Sequence, residues 1–414
     1  MRQHRQLLAV VALSVASAGC FWTAPGAGPG RASHNVFETA ITPATVGDLV
    51  EVWAASGDGT GMGEPVTSDV AVHAADSAGA YALSPATGDR LWEQLVAPET
   101  PMIMGQPVGD GPRVVLGYGF GNLGGRWTTE LRDAQTGATV SSVGGGLVDG
   151  LRGRTLLTRL FAFGSGTPVL TAIRVTDLDI PGSGWSANLT FQSGGPASGP
   201  LTLGTDHVFQ AGAGPNLPTG ATGNGIRAFA VATGPANCPP PAPQGFACPV
   251  WSTPLPGTTA TSPVLDPDES RLYVGTLTEL HAVDTGTGAI VWTVPIAADV
   301  TSPPALADGV LYVPTGDGDV LVLDAATGAT MWTARTGSRV ATQPAVAGGV
   351  VFTGSDDGTV RAFAAAGCGA ATCTRPLWSA STGAGITGSP AVSQGRVYVG
   401  TADGRVVAYG PGGG

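Results

Sequence analysis

A short β-hairpin that ends on a tryptophan recurs along the chain and constrains the fold more than any other feature. The stretch from Val320 to Trp332 reads VLVLDAATGATMW: an apolar strand, a turn that closes on Gly328, and the start of a second strand. Glycine supplies the positive φ that such a tight turn requires. The same pattern precedes Trp92 and Trp292, and each tryptophan follows the last turn glycine by four residues. The chain therefore repeats one hairpin unit.

The spacing of this hairpin gives the size of the repeated unit. Most intervals lie close to the period of about 40 residues that is typical of a four-stranded propeller blade. The units end at Trp53, Trp92, Ser141, Trp185, Trp251, Trp292, Trp332 and Trp378, with serine in place of tryptophan in the third. The pattern predicts an all-β fold of repeated four-stranded antiparallel blades, in which Trp292 and Trp332 are buried.

Two further markers fix the strands within a unit. A proline opens most units, as at Pro303 and Pro344, and it suits the first strand of a blade because proline cannot donate to a β ladder. Asp-Gly turns, such as residues 317–318, separate the strands that follow. One blade is thereby predicted in full, with strands Ala305–Leu306, Val310–Pro314, Val320–Asp324 and Ala329–Thr333.

The last unit lacks its tryptophan strand. Strands at residues 397–400 and 406–409 are followed at once by Gly410 and Pro411. The missing strand is present near the N-terminus, where Val50 and Val52 alternate with Glu51 and Trp53 takes the tryptophan position. We expect this segment to complete an eighth blade and close the ring, which removes two exposed sheet edges.

The first 43 residues differ from the repeats in composition. Residues 1–19 combine a basic start with a short apolar run and are predicted to be a signal peptide. Cys20 follows this run as in a bacterial lipoprotein signal, so it is the predicted lipidation site; secretion with cleavage after Ala18 is the alternative. Residues 20–43 are rich in glycine, proline and alanine and are predicted to be a flexible tether to a propeller over residues 44–414. Deleting residues 20–43 should then leave the fold intact.

The cysteines agree with an exported protein. Cys238 and Cys248 lie in one loop, and Cys368 and Cys373 lie in another at the equivalent place of its unit. Two local disulfides, Cys238–Cys248 and Cys368–Cys373, are therefore predicted as staples for surface loops. This pairing leaves Cys20 over, and lipidation accounts for it.

The overall charge excludes several classes of function. All 19 basic residues are arginine, so lysine Schiff-base and lysine general-base chemistry is absent. The formal net charge of −11 argues against nucleic acid as a partner.

The candidate reactive residues have simpler structural explanations. His73, His207 and His281 are far apart in the sequence and lie in predicted strands, so we expect no metal site. The acidic run Asp266-Pro267-Asp268-Glu269 lacks the spacing of a calcium loop and is better explained as a hairpin turn. Ser-His-Asp catalysis has no local elbow motif in its favour. The sequence therefore predicts no catalytic, cofactor-binding or metal-binding residue.

The Asp-x-x-Thr-Gly-x-x-x-Trp unit, clearest from Asp324 to Trp332, resembles the repeats of the pyrroloquinoline-quinone-like propeller superfamily. That superfamily includes quinoprotein dehydrogenases and the propeller lipoprotein of the outer-membrane β-barrel assembly machine. The resemblance covers about residues 44 to 409. It implies an eight-bladed ring with the tryptophans Trp53, Trp92, Trp185, Trp251, Trp292, Trp332 and Trp378 docked between neighbouring blades.

The resemblance by itself does not decide function. The chain has no adjacent pair of cysteines of the kind that covers the quinone, and no Cys-x-x-Cys-His haem site. We therefore expect a binding or scaffold propeller without catalysis or cofactor. It would be anchored outside the cytoplasm through lipid and would bind envelope proteins by its rims or central opening. A quinone-dependent dehydrogenase is the alternative.

Overall fold

The computed structural model describes residues 26, 28, 31–95, 102–104, 108–110, 112–120, 127–164, 167–177, 184–188, 201–215, 222–233, 248–259 and 261–412. These residues form eight small, mainly antiparallel sheets, arranged as the blades of a propeller. The innermost strands of successive blades lie side by side around the axis, and each blade extends outwards from there. The all-β, eight-bladed fold predicted from the repeats is confirmed.

The first four blades follow one another along the chain. Their strands are, in blade 1, β3 (Val66–Thr67), β4 (Val72–Ala75), β5 (Gly79–Leu83) and β6 (Arg90–Leu95); in blade 2, β7 (Met102–Met104), β8 (Val108–Asp110), β9 (Arg113–Phe120), β10 (Trp127–Asp133) and β11 (Thr139–Gly144); in blade 3, β12 (Leu147–Arg152), β13 (Thr155–Gly164), β14 (Thr167–Asp177) and β15 (Trp185–Asn188); and in blade 4, β16 (Thr202–Leu203), β17 (His207–Pro215), β18 (Thr222–Ala230) and β19 (Trp251–Pro254).

The other four blades take in both ends of the described chain. Their strands are, in blade 5, β20 (Val264–Leu265), β21 (Arg271–Gly275), β22 (Glu279–Asp284) and β23 (Ile290–Pro295); in blade 6, β24 (Ala305–Ala307), β25 (Val310–Pro314), β26 (Asp319–Asp324), β27 (Thr330–Arg335) and the added β31 (Thr372–Cys373); in blade 7, β28 (Ala345–Ala347), β29 (Val350–Gly354), β30 (Thr359–Ala364), β32 (Trp378–Ser381) and the added β1 (His34–Asn35); and in blade 8, β33 (Ala391–Ser393), β34 (Arg396–Gly400), β35 (Arg405–Pro411) and β2 (Leu49–Ser56). A 3₁₀ turn, Val46–Asp48, precedes β2.

In the most regular repeats, the turn before the tryptophan position is held by an aspartate and a threonine. In blade 6 one carboxylate oxygen of Asp324 accepts hydrogen bonds from the backbone N–H of Thr327 (2.8 Å) and from its hydroxyl (2.7 Å). Gly328 has φ of 74°. Its Cα hydrogen also faces the Trp292 ring of the preceding blade, because an added Cβ would lie 3.1 Å from that ring. The Thr-Gly turn and the tryptophan recur together because one blade's turn is the other blade's docking surface.

Ring closure by the N-terminal strand is confirmed. β2 pairs antiparallel with β35 from Leu49 opposite Pro411 to Ser56 opposite Arg405, with one irregularity before Trp53. Trp53 is 7% exposed, and its indole N–H donates to the Pro85 carbonyl of blade 1 (3.0 Å). Blade 8 is thereby completed and tied to blade 1 at the same time.

The prediction that all of residues 20–43 form a flexible tether is wrong for its second half. Residues 31–35 lie inside the ring, and Arg31, Ser33, Asn35, Glu38 and Ile41 are all less than 9% exposed. β1 pairs in parallel with β28, the innermost strand of blade 7. The segment is ordered by backbone pairing and by hydrogen bonds to the inner strands, which composition alone does not reveal. The predicted lipidation site Cys20 and signal peptide lie outside the described residues.

Within the described part of the chain, no helix has the length and apolarity needed to cross a bilayer.

Candidate functional site

The central channel of the propeller is filled by the chain's own residues 31–35. The Ala32 carbonyl accepts from Leu306 N–H of blade 6 (2.7 Å), and the Ser33 carbonyl accepts from Val346 N–H of blade 7 (2.9 Å). The Gln343 side-chain amide donates both to the Arg31 carbonyl (2.8 Å) and to the Pro304 carbonyl (2.9 Å). Residues 31–35, called the plug from here on, therefore connect inner strands of neighbouring blades.

Arg31 extends from the plug to the opposite side of the channel. Its guanidinium donates to the backbone carbonyls of Asp149 in blade 3 (3.0 Å) and Leu201 at the start of blade 4 (3.1 Å). The Asp149 carboxylate, in turn, lies 2.5 Å from the Arg159 guanidinium. Burial raises the pKa of Asp149, while the charges of Arg159 and Arg31 act in the opposite direction. A buried ionic cluster thus joins the plug to blades 3 and 4.

The plug leaves the channel beside blades 7 and 8. The Asn35 amide donates to the Val392 carbonyl (2.8 Å), and the Glu38 carboxylate accepts from the N–H of Gly395 (2.9 Å) and of Ala40 (2.7 Å). From there the chain continues to β2 at the outside of blade 8. None of these residues is predicted from the sequence, although large polar side chains within a stretch of small residues are a signal of a packed segment.

A planar cofactor on the propeller axis would overlap the plug. The axis is the place where a ring of blades leaves room for a ligand, and here it holds Ser33, which is fully buried, and the Arg31 guanidinium. Arg31 is already bonded to backbone carbonyls. The residues that occupy the channel therefore leave no fitting site for a quinone on the axis.

The interblade tryptophans dock as one set. Their indole N–H groups donate to carbonyls at one end of the next blade: Trp53 to Pro85, Trp92 to Ala134, Trp251 to Thr285, Trp292 to Ala325 and Trp378 to Leu49, at 2.7 to 3.1 Å. Trp332 packs on Gly367 of blade 7. The side chain of Trp185 lies outside what the structure describes.

Trp292 is half-buried, and the expectation that it is buried like Trp332 is wrong. Trp332 is 5% exposed. The added strand β31 pairs with β27 at the two residues that follow Trp332, and this covers the edge there. In the described chain, β23 ends its sheet without such an added strand, but so do β6 and β19, whose Trp92 and Trp251 are buried, so the added strand alone does not decide the exposure.

Trp332→Ala should therefore lower the free energy of unfolding by roughly 3 kcal/mol, as truncation of a buried aromatic does. Trp292→Ala should cost less because less of its side chain is removed from water. Chemical denaturation of the parent and both variants measures the difference. Equal losses for the two variants would contradict the difference in burial between Trp332 and Trp292.

The three histidines that the sequence predicts to be structural, His73, His207 and His281, lie in different surroundings. His281 Nδ1 lies 3.0 Å from the Thr293 hydroxyl, and His73 is fully buried with its ring 5.7 Å from that of Trp92. His207 begins β17. Across the residues that the structure describes, no group of three His, Cys, Asp or Glu side chains is placed to hold a metal ion. Asp266 to Glu269 form the turn between β20 and β21.

His73 should make the fold sensitive to acid. Burial lowers its pKa from 6.5 to about 3, so folded protein keeps the ring neutral while unfolded protein protonates it below about pH 6.5. Stability should fall as pH falls from 6.5 towards 3, and His73→Gln should flatten this slope. Melting temperatures across that range test it; an unchanged slope in the variant would contradict the assignment.

The predicted Cys368–Cys373 disulfide is confirmed, and it shapes a strand that covers a blade edge. The Thr333 N–H of β27 donates to the Ala371 carbonyl (2.9 Å), and Thr333 and Ala334 pair in parallel with Thr372 and Cys373. An outer blade edge therefore accepts an extended segment. Cys248 is half-buried and has no disulfide partner among the described residues, and Cys238 lies outside them, so the Cys238–Cys248 bridge stays a prediction.

Apolar side chains accompany the outer strands. Because neighbouring residues of a strand point to opposite sides, an inward tryptophan places the residue before it outwards. We call this set the outer belt; its members are between 42% and 55% exposed and are Leu91, Val140, Val250, Val291, Met331 and Leu377. Val140 precedes Ser141, which has the tryptophan position in blade 2. The blade perimeter thus combines open backbone edges with exposed apolar groups.

These features define an eight-bladed β-propeller with a self-filled channel. A family model described as outer membrane protein assembly factor BamB matches residues 276–371, the most regular part of the repeat. A comparison with curated proteins gives no match.

Solved structures similar to the chain include an assembly factor, an enzyme and a designed protein. BamB from Moraxella catarrhalis is 16% identical, with a TM-score of 0.59, and the match covers 87% of this chain and 99% of that one. Quinohemoprotein alcohol dehydrogenase from Comamonas testosteroni is 15% identical, with a TM-score of 0.68, over 95% and 81%. The computationally designed Ika8 protein is 15% identical, with a TM-score of 0.61, over 87% and 99%. At such identities the likeness concerns the fold, and function rests on the site.

Proposed function

We propose that the protein is a non-catalytic binding module of the bacterial envelope, anchored by lipid at Cys20, that binds extended segments of envelope proteins at its blade edges. The observation that carries the proposal is the pairing of β31 with the outer edge of blade 6. Strand addition supplies affinity through backbone hydrogen bonds, and side chains beside the edge supply selectivity. The match to an assembly factor supports a partner outside the cytoplasm.

Blade 5 is the edge we select for this function. Thr293 occupies the position in β23 that Thr333 occupies in β27, one residue after the tryptophan in the same register. Its N–H is therefore the counterpart of the donor that binds Ala371. Ile290 and Val291 beside it are 43% and 45% exposed, which favours an apolar residue in the bound segment.

Thr293→Pro tests this edge with little effect on the blade. Proline removes an outward N–H and is tolerated on an edge strand. Thr293→Val is the matched control, because it removes the hydroxyl near His281 and keeps the N–H. Partner proteins cross-linked and co-purified from detergent-solubilised envelope should be lost with Thr293→Pro and kept with Thr293→Val. Equal recovery with both would refute binding at this edge.

The anchor and the absence of catalysis are tested separately. The native chain should partition into detergent, whereas Cys20→Ser should be released or left unprocessed; a water-soluble mature protein beginning at Gly19 would refute the anchor.

Addition of pyrroloquinoline quinone and calcium should give no dye-linked oxidation of alcohols or sugars. Turnover there would favour the dehydrogenase alternative instead.

A further inference from the structure

We infer that the face carrying the Asp-Gly turns lies against the membrane, with the opposite face turned away from it. The inference rests on the lipid anchor proposed above. It follows from the path of the plug, because the direction in which the chain passes through the channel decides from which face the N-terminal segment emerges.

The two faces are defined by their turns. The Asp-Gly face carries residues 315–318, 355–358 and 401–404, and the connections between blades lie beside them, as when Gly316 N–H donates to the Asp299 carbonyl (2.9 Å). The Thr-Gly face carries residues 84–88, 284–288 and 324–328. Successive strands run between the two faces, so a label on one face is separated from the other by roughly 20 Å, the length of a short strand.

The plug runs from the Asp-Gly face to the Thr-Gly face. Because β1 is parallel to β28, it enters where β28 begins and leaves where β28 ends in its hairpin. At the first end, Gly26 N–H donates to the Glu64 carboxylate (2.7 Å), in the connection that also binds the turn at residues 401–404. At the other end, Glu38 binds Gly395 in the hairpin between β33 and β34.

The distance to the anchor is therefore short. Gly26 is six residues from Cys20, and a chain spans at most about 3.5 Å per residue, so the Asp-Gly face lies within roughly 20 Å of a lipidated Cys20. To place the Thr-Gly face at the membrane, the same six residues would have to pass around the whole ring. Chain length excludes that arrangement while the plug is in place.

Charge does not set this orientation. Arginines on the Asp-Gly face make ion pairs with nearby aspartates: Arg335 with Asp319 (3.1 Å), Arg339 with Asp356 (3.3 Å) and Arg405 with Asp403 (2.8 Å). Such paired charges give little attraction to anionic lipid. The opposite orientation, with the Thr-Gly face against the membrane, would be favoured by insertion of apolar side chains. Val36 and Phe37 are 62% and 57% exposed where the plug leaves the channel. The experiment must distinguish the anchor from this apolar pair.

Two exposed alanines serve as matched reporters. Ala297 lies on the Asp-Gly face between blades 5 and 6, and Ala326 lies in the Thr-Gly turn of blade 6. Ala297→Cys and Ala326→Cys, each with Cys238→Ser and Cys248→Ser, are labelled with one fluorophore. The lipidated full chain is placed in phosphatidylethanolamine and phosphatidylglycerol vesicles that contain a headgroup quencher.

The label at Ala297 should be quenched several times more strongly than the label at Ala326, at low and at high salt. Stronger or equal quenching at Ala326 in vesicle-bound protein would overturn the orientation and leave the anchor proposal standing. Protein that stays in solution despite an intact Cys20 would overturn both. Adding Phe37→Ser to both reporters should leave the ratio unchanged; a ratio that depends on Phe37 would overturn the role of the plug.

Discussion

A chain that begins at Gly57, and therefore lacks β2 and the plug, should lose its cooperative melting transition or melt far below the parent. Blade 8 would keep only its three C-terminal strands, and β35 would present unpaired backbone groups along the length that now pairs with β2. The Trp378 indole would lose its acceptor, the Leu49 carbonyl (2.9 Å). A loss of about 5 kcal/mol would lower the melting temperature by roughly 10 °C or more at this size.

Two shorter deletions separate closure from the plug. A chain that begins at Gly26 keeps the contacts described here and should melt like the parent. A chain that begins at Ala44 keeps β2 and loses the plug, so it should melt between the other two and remain monomeric. The chain from Gly57 should also associate through its open edge, which light scattering detects. Equal stability of the chains from Ala44 and Gly57 would contradict closure by β2.

The blades were predictable because each unit carries its own signals. Val310–Pro314 was predicted with its observed bounds, and the predicted strand Val320–Asp324 begins one residue later than the observed one. The signals are local: an apolar run, a glycine with positive φ, and a tryptophan at fixed spacing. They are repeated because most blades offer a turn to the tryptophan of a neighbouring blade. Repetition therefore makes a local pattern informative about the whole ring.

The plug could not be predicted in the same way, because its hydrogen-bond partners are far away along the sequence. Asn35 binds Val392, which is 357 residues away, and Arg31 binds Asp149 and Leu201 from two other blades. No period links such residues. Glycine, proline and alanine around them give the segment the composition of a tether. That average composition conceals the specific contacts of Arg31, Asn35 and Glu38.

The sequence also does not predict which blade edges are covered by an added strand and which are open. The loop from Cys368 to Cys373 was recognised as a staple, but its pairing with β27 depends on where the neighbouring blade lies. Trp292 and Trp332 share one motif and still differ in exposure. A repeat predicts what units have in common, whereas binding sites arise where units differ.

Replacement of Asp149 should have the largest effect of any single side chain in the channel. Asp149→Ala would leave the Arg159 guanidinium without the buried carboxylate that pairs with it, and would remove the negative charge that acts on the buried Arg31. Removing one partner from a buried ion pair costs on the order of 3–5 kcal/mol, because the remaining charge stays away from water. Urea denaturation should show a loss of this size, and hydrogen exchange should show faster exchange at the Val346 N–H that binds the Ser33 carbonyl.

The deletion chain that begins at Ala44 gives this prediction its control. Without Arg31, only the pair of Asp149 with Arg159 remains in the channel, so Asp149→Ala should cost less there than in the full chain. The difference between the two losses measures the coupling between Asp149 and the plug. Arg31→Met should remove the same coupling while keeping the rest of the plug in place. If Asp149→Ala costs the same with and without residues 26–43, the ionic cluster stabilises blade 3 alone, and the plug is held by its backbone bonds to blades 6 and 7.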